Sequence, residues 1–285
     1  MKSVFLRSPA KLNLYLKVIN KREDNFHNIE TVFERINLFD EILYTELKEN
    51  KIKIITDNKD IPTGPKNLIF KVVKRIKDDF KIDKGVLIKI KKRIPVAAGL
   101  AGGSSNAATT LLALNKLWNL RLNREKLTHY AREIGSDVAF FLYDSSWALG
   151  VERGDKIKPL NIKTKLWHIL VVPRFRVYAK DIYRALNLGL TKNAYNASIF
   201  IRNLKKSNYL YINGSLLNDL EVPIIRLYAR LKGIKQRLKL LGIKGVMISG
   251  SGPGVFGIVG SESQAKSIKK ILDKVYSQVY VVKTY

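Results

Sequence analysis

Polar and apolar residues alternate along three stretches of the first half of the chain, KLNLYLKV (11–18), KIKIIT (51–56) and VLIKIKKRI (86–94). A period of two sends successive side chains to opposite faces of an extended backbone, so each stretch is predicted to be a half-buried strand. Helical spacing takes over in NLIFKVVKRIKDDF (67–80). It returns over 106–118, where Ala107, Leu111, Leu114 and Trp118 fall on one stripe. Asn123 predicts the N-cap of a helix that ends at Gly135. WALGVERGDKIKPL (147–160) reads as two strands around a glycine-containing turn.

Beyond residue 165 the rhythm changes. WHILVV (167–172) is predicted as a buried strand, AKDIYRALN as a helix, and VPIIRLYARLKGIKQRLKLL (222–241) as one long helix. GVMIS and VFGIV are strands on either side of SGSGPG. SESQAKSIKKILDKV is a capped helix, and QVYVVKT is a closing strand. The order β-α-β-β-α-β, with additional helix, is the ferredoxin-like pattern. A chain of 285 residues is long for one core. With the change of pattern near 159–165, two domains are expected, 1–160 and 161–285, in the α+β class.

Composition removes several classes of function. Hydrophobic residues make up 46%, enough for a substantial core. No apolar run approaches the roughly 20 residues that span a bilayer. The first twenty residues have neither a long apolar region nor a small-residue cleavage site, so a cytoplasmic location and no membrane partner are expected. With no cysteine, thiolate catalysis, disulfides and cysteine-ligated metal are excluded. Three histidines (His27, His129, His168), none at ligand spacing, give no metal-binding residues. The balance of 52 Lys+Arg against 24 Asp+Glu, a net charge of +28, attracts anions, whether nucleic acid, nucleotides or phosphorylated metabolites. The lysines are spread along the whole chain, which favours a compositional habit over a dedicated nucleic-acid surface.

Five stretches carry candidate chemistry. In AAGLAGGSSNAA (97–108) the glycines let a ligand approach the backbone, and Ser104 or Ser105 can cap the helix that follows. The free amides at such a helix start suit a phosphate. The alternative is a tight strand-to-helix turn whose small residues serve packing. Lys11 and Asn13 share one face of a strand. They either hold a phosphate or polarise a hydroxyl, or belong to a solvent face. Asp137, in EIGSDVAFFLY (133–143), is a general base or a turn carboxylate. GVMISGSGPGVFGIV (245–259) holds more glycine than a hairpin needs, which suggests close backbone approach. Phe26 and His27 suit a flat base, one by stacking and the other by hydrogen bonds; otherwise they are core and surface residues.

Taken in order, PAKLNLYL, FHNIETVF, AAGLAGGSSNAA, GSDVAFF, LLNDLE (216–221) and SGSGPGVFG resemble the kinases named for galactose, homoserine, mevalonate and phosphomevalonate, the GHMP kinases. The resemblance runs nearly end to end. It is strongest to the members that phosphorylate a cytidine diphosphate derivative in isoprenoid precursor synthesis. It implies an N-terminal domain like ribosomal protein S5 and a ferredoxin-like C-terminal domain. Residue by residue, it implies that Pro95, Val96, Ala97, Ala98, Gly99, Leu100, Ala101, Gly102, Gly103, Ser104 and Ser105 bind the phosphates of ATP, which arrives with Mg²⁺. Asn67 and Leu68 line the adenine pocket and Lys92 lies beside it. Asp137 takes the substrate's proton and Lys11 favours the developing alkoxide. Asn13 holds the substrate, Phe26, His27 and Tyr183 meet the cytosine, and Gly250, Ser251 and Gly252 close over the reacting phosphates. A monomer or weak homodimer is expected.

The chain departs from the family pattern at four positions. Ala101 stands where glycine is common and Ala139 where proline is. Ala179 and Gly254 each stand where threonine is. A sister kinase acting on homoserine or a mevalonate-type acid is the nearest alternative. An RNA-binding protein, motivated by the charge, leaves the glycine loops and Asp137 without a use.

Overall fold

The computed structural model describes residues 2–188 and 196–285. In chain order its elements are the strands β1 (Ser3–Lys21), β2 (His27–Leu47) and β3 (Ile52–Thr56), then the helix α1 (Leu68–Phe80) and the strand β4 (Gly85–Lys91). The helices α2 (Gly102–Leu117) and α3 (Arg124–Ile134) follow, with a short 3-10 turn at Ala139–Leu142. Next come β5 (Trp147–Val151), β6 (Lys156–Leu160) and β7 (Trp167–Val171), and the helices α4 (Ala179–Arg184), α5 (Ala197–Lys205) and α6 (Tyr209–Gly214). The chain closes with β8 (Leu217–Asn218), α7 (Glu221–Leu227), α8 (Arg230–Leu240), β9 (Val246–Ile248), β10 (Val255–Val259), α9 (Glu262–Leu272) and β11 (Val279–Lys283). The mixture of separate helices and mostly antiparallel strands is α+β.

These residues form two compact units. One comprises Met1–Ala10, Leu38–Val96 and Ala101–Asp144; the other comprises Lys11–Asn37, Ala97–Leu100 and Ser145–Tyr285. In the first unit the end of β2 pairs antiparallel with β4, and β3 pairs parallel with β4. Helix α1 begins where Asn67 accepts a hydrogen bond from the Ile69 amide, and it buries Ile69, Val72, Val73 and Ile76. Each such apolar side chain stabilises by about 1.5–3 kcal/mol relative to exposure. Helix α3 has the expected ends: Asn123 accepts from the Lys126 amide, and Gly135 follows the last turn.

In the second unit the sheet order β11-β7-β10-β9 reproduces the ferredoxin-like arrangement, with all three pairs antiparallel. Its core is apolar on both elements of each layer, with Ile169 and Val171 of β7 against Ile234 and Leu238 of α8 and Ile268 of α9. The single helix expected over 222–241 is two. The chain leaves α7 at Tyr228 (φ −132, ψ 67) and re-enters a helix at Arg230. The break lays the Tyr228 ring flat on Phe175, with centroids 5.7 Å apart and planes 8° from parallel. The break thus coincides with an aromatic contact to a residue outside both helices, which the periodicity of 222–241 does not register. No helix among the described residues is long and apolar enough to cross a membrane.

Candidate active site

In the first unit the start of α2 differs from the expectation of a serine cap. The helix begins at Gly102, so Ser104 and Ser105 lie in its first turn. The N-cap is Ala101, held in the left-handed region (φ 53, ψ 31) with no side-chain cap bond. Ser105 is instead turned inward, where its hydroxyl accepts from Ser8 at 2.7 Å; Ser8 also lies 2.8 Å from Asn106. The first amides of α2 therefore have no capping side chain of their own. Small residues continue past the turn because Ser105, Asn106, Ala107, Ala108, Thr109 and Thr110 are all buried, so the helix is enclosed on more than one face. A left-handed alanine costs about 1 kcal/mol that a glycine avoids. Ala101→Gly is therefore expected to raise the unfolding midpoint by about 2 °C, measured by differential scanning calorimetry.

Leu68 reaches this loop: a Cβ on Gly103 would lie 3.9 Å from Leu68 Cδ1. Lys92 is buried, and its ammonium donates to Asp40 Oδ2 at 2.6 Å and to the Ile94 carbonyl at 2.7 Å. Burial pushes the Lys92 ammonium below the usual lysine range, against the opposing charge of Asp40. Asp137 sits half-buried in the reversal after Gly135, between α3 and the buried residues Val138, Ala139 and Phe140.

In the second unit Lys11 and Asn13 share a face of β1, as the alternation requires, but that face is covered rather than solvated. Lys11 is 4% exposed and Asn13 2%, while Leu12 and Leu14 on the opposite face are fully buried. The Lys11 ammonium donates to Asn13 Oδ1 at 2.5 Å. The loop after β9 lies over them. A Cβ on Gly250 (φ +54) would come within 3.0 Å of Asn13 Oδ1 and 3.4 Å of Lys11 Nζ. A side chain there would press on both, on a backbone conformation that glycine adopts most readily. Gly99 (φ +75) is more strictly committed, since a Cβ there would stand 2.1 Å from the Ser249 carbonyl oxygen. The glycine loops at 97–100 and 249–254 are thus laced together. The Gly254 amide donates to the Ala98 carbonyl at 3.1 Å, and the Ser249 hydroxyl to the Gly99 carbonyl at 3.0 Å.

A tight turn presents Phe26. The Arg22 amide donates to the Phe26 carbonyl at 2.8 Å, and the Phe26 amide to Asp24 at 3.1 Å. Phe26 is 52% exposed, with the Arg153 guanidinium 5.2 Å from its ring centre. His27 stacks on Tyr183 with centroids 5.0 Å apart and planes 27° from parallel. Burial, and the nearby Lys21 charge, lower the His27 pKa below the ordinary 6.5, so its imidazole is neutral at pH 7. An NMR titration of the imidazole protons is expected to show a midpoint below 6.5.

Four polar residues escaped the sequence reading. Thr31 accepts from Asn13 Nδ2 at 2.8 Å, and Ser249 accepts from the Asn13 amide at 3.3 Å. Asn218, within LLNDLE, donates to the carbonyls of Ile248 and Gly250 at 2.9 and 2.8 Å and so anchors the loop that covers Lys11. Asp40 is the buried partner of Lys92. One signal was available for Asp40. In INLFDEILY it falls in phase with Ile36, Ile42 and Tyr44, all buried, and a carboxylate on the apolar side of a strand needs a buried partner.

Two family models match the chain: GHMP kinases N terminal domain over residues 67–145, and GHMP kinases C terminal over 200–278. The 4-diphosphocytidyl-2-C-methyl-D-erythritol kinase of Bacillus velezensis is 40% identical over 277 residues, which is 97% of this chain and 95% of its own. That of Bacillus subtilis is 40% identical over the same span. A crystal structure of 4-(cytidine 5'-diphospho)-2C-methyl-D-erythritol kinase superposes with a TM-score of 0.83 at 29% identity, covering 98% of each chain. A homoserine kinase from Cytophaga hutchinsonii shares the fold, with a TM-score of 0.74 at 20% identity over 100% of this chain and 95% of its own.

Proposed function

The chain belongs to the GHMP kinase family, among its 4-diphosphocytidyl-2-C-methyl-D-erythritol kinases, and we propose that it moves the γ-phosphoryl group of ATP to the 2-hydroxyl of 4-diphosphocytidyl-2-C-methyl-D-erythritol. The product feeds the non-mevalonate route to isopentenyl diphosphate in the cytoplasm. The near full-length likeness to kinases of that name carries the reading. The buried Lys11–Asn13 pair under a glycine loop supports it, because that arrangement suits a polyanionic reactant better than a packing role does.

The transfer is direct and in line. The substrate oxygen attacks the γ-phosphorus as the bond to ADP breaks, and no phospho-enzyme forms. Such a reaction asks for positioning and charge neutralisation more than covalent chemistry. Asp137 takes the hydroxyl proton. Lys11 offsets negative charge on the reacting oxygens, with Asn13 holding its ammonium in place. The backbone of residues 95–105 receives the phosphates, with Asn67, Leu68 and Lys92 at the nucleoside end. Phe26, His27 and Tyr183 receive the cytosine, where a neutral imidazole can both donate and accept. Gly250, Ser251 and Gly252 cover the phosphates. Mg²⁺ would enter on the nucleotide, where it would neutralise phosphate charge. We keep the domain division 1–160 and 161–285, and a monomer or weak homodimer, as part of the proposal.

The test is ADP release with ATP and Mg²⁺ on three alcohols: the cytidyl substrate, homoserine and mevalonate. Rapid turnover with the cytidyl substrate alone is expected. Turnover with another alcohol in preference would keep the kinase and discard the substrate. Release with none, together with steeply salt-dependent binding of RNA, would overturn the reading.

A further inference from the structure

The Lys11–Asn13 pair has a third member, Thr31, which lies within FHNIETVF but has been given no role. Thr31 lies on β2, fully buried, at the residue paired with Gly150 of β5. Its hydroxyl donates to the Tyr15 carbonyl at 2.7 Å. A hydroxyl has one proton, and this one is committed to the backbone. Its remaining capacity toward Asn13 is therefore acceptance, and it takes a hydrogen bond from Asn13 Nδ2 at 2.8 Å. An amide carries donors on one side and an acceptor on the other. With its NH₂ fixed on Thr31, Asn13 is obliged to turn Oδ1 toward the Lys11 ammonium, where it accepts at 2.5 Å. The opposite rotamer would set an NH₂ group against the ammonium and leave a buried oxygen facing another oxygen.

We propose that Thr31 is a positioning residue for the phosphoryl transfer: it sets the orientation of the Asn13 amide and thereby holds the Lys11 ammonium in place. The chain of donors runs one way, from Lys11 through Asn13 and Thr31 to the Tyr15 carbonyl, and every member is buried. The inference rests on the reading of Lys11 as the catalytic cation. Thr31 itself does not touch the reactants, so its influence falls on the geometry of the transfer, not on substrate affinity.

The experiment compares steady-state kinetics of the full chain and its Thr31→Val, Thr31→Ser and Lys11→Met variants, on whichever alcohol the wild type turns over. Valine matches threonine in shape and leaves the packing against Gly150 intact, but it cannot accept from Asn13. Thr31→Val is expected to lower kcat by about 10- to 100-fold, the scale of a misplaced catalytic group, with KM for both substrates within about threefold. Thr31→Ser keeps the hydroxyl and is expected to hold kcat within about threefold of wild type. If Val and Ser fall alike, Thr31 acts through packing and the inference is wrong; if Val keeps wild-type kcat, it is wrong as well. Should Thr31→Val not fold, Thr31→Ala against Thr31→Ser makes the same comparison. Lys11→Met separates the premise: a Lys11→Met enzyme as fast as wild type would remove the role of Lys11 itself, whatever Thr31 does. A slow Lys11→Met with an unaffected Thr31→Val would remove only the inference.

Discussion

Replacing Asp137 by asparagine is expected to lower kcat by about 10²–10⁴-fold, the range that general acid–base catalysis contributes. Asparagine keeps the size and planarity of the side chain and loses only the charge and the ability to take a proton. Backbone hydrogen bonds and burial hold the chain on either side of it. Gly135 closes α3 by donating to the Ala131 carbonyl at 3.1 Å, and Val138 donates to Gly135 at 3.2 Å. The burial of Val138, Ala139 and Phe140 then fixes the reversal in which residue 137 stands. Turnover of Asp137→Asn should collapse while KM for ATP changes little, and ADP-release kinetics at varied ATP check both halves. A variant retaining more than about a tenth of wild-type kcat would mean that the proton leaves by another route. Asp137 would then be a turn residue.

Alanine at position 139, where the family commonly has proline, bears on the same reversal. Ala139 opens the short 3-10 turn at Ala139–Leu142 and is fully buried. Neighbouring burial thus places this segment without the restriction on φ that proline supplies.

What could be read from the sequence was whatever short-range chemistry decides. Asn123 caps its helix as predicted, because an amide oxygen three residues ahead of a free N–H needs no partner from elsewhere. The short apolar runs of β7, β10 and β11 read as strands from their own residues, and the βαββαβ order then leaves few topologies open. The failures share one cause, a partner distant in the chain. Ser105 looked like a cap and is claimed by Ser8, 97 residues earlier. The helix over 222–241 breaks where Tyr228 meets Phe175. Lys11 and Asn13 had the pattern of an exposed face, and a loop more than 230 positions later covers them: the Asn13 amide and its Ser249 acceptor are separated by 236 residues. The site itself was legible mainly through the ordered motifs, since each of its residues alone had a plainer explanation. The role of Thr31 was not, because it lies in hydrogen bonds to Asn13 and to the Tyr15 carbonyl, and Asp40 left only the signal of its phase on the strand.

Lys92→Met is the second large effect, and it separates two roles for one residue. The resemblance places Lys92 beside the adenine pocket. Its ammonium is already engaged by Asp40 Oδ2 and the Ile94 carbonyl, and the side chains of the pair are 3% and 0% exposed. Asp40 in turn accepts from the amides of Arg93 and Ile94, both at 2.8 Å, and so pins the chain where it leaves β4 for the glycine loop. Methionine fills the space but strands a buried carboxylate. Removing one partner of a buried ion pair costs about 3–5 kcal/mol, which for a chain of this size is a fall on the order of 10 °C in Tm. Adding Asp40→Asn keeps an acceptor for the two backbone amides and removes the unpaired charge, so the double variant is expected to recover part of the loss. A lysine whose main task was to touch the nucleotide would behave otherwise. Its replacement would raise KM for ATP while leaving unfolding nearly unchanged, and the second substitution would add damage instead of relieving it.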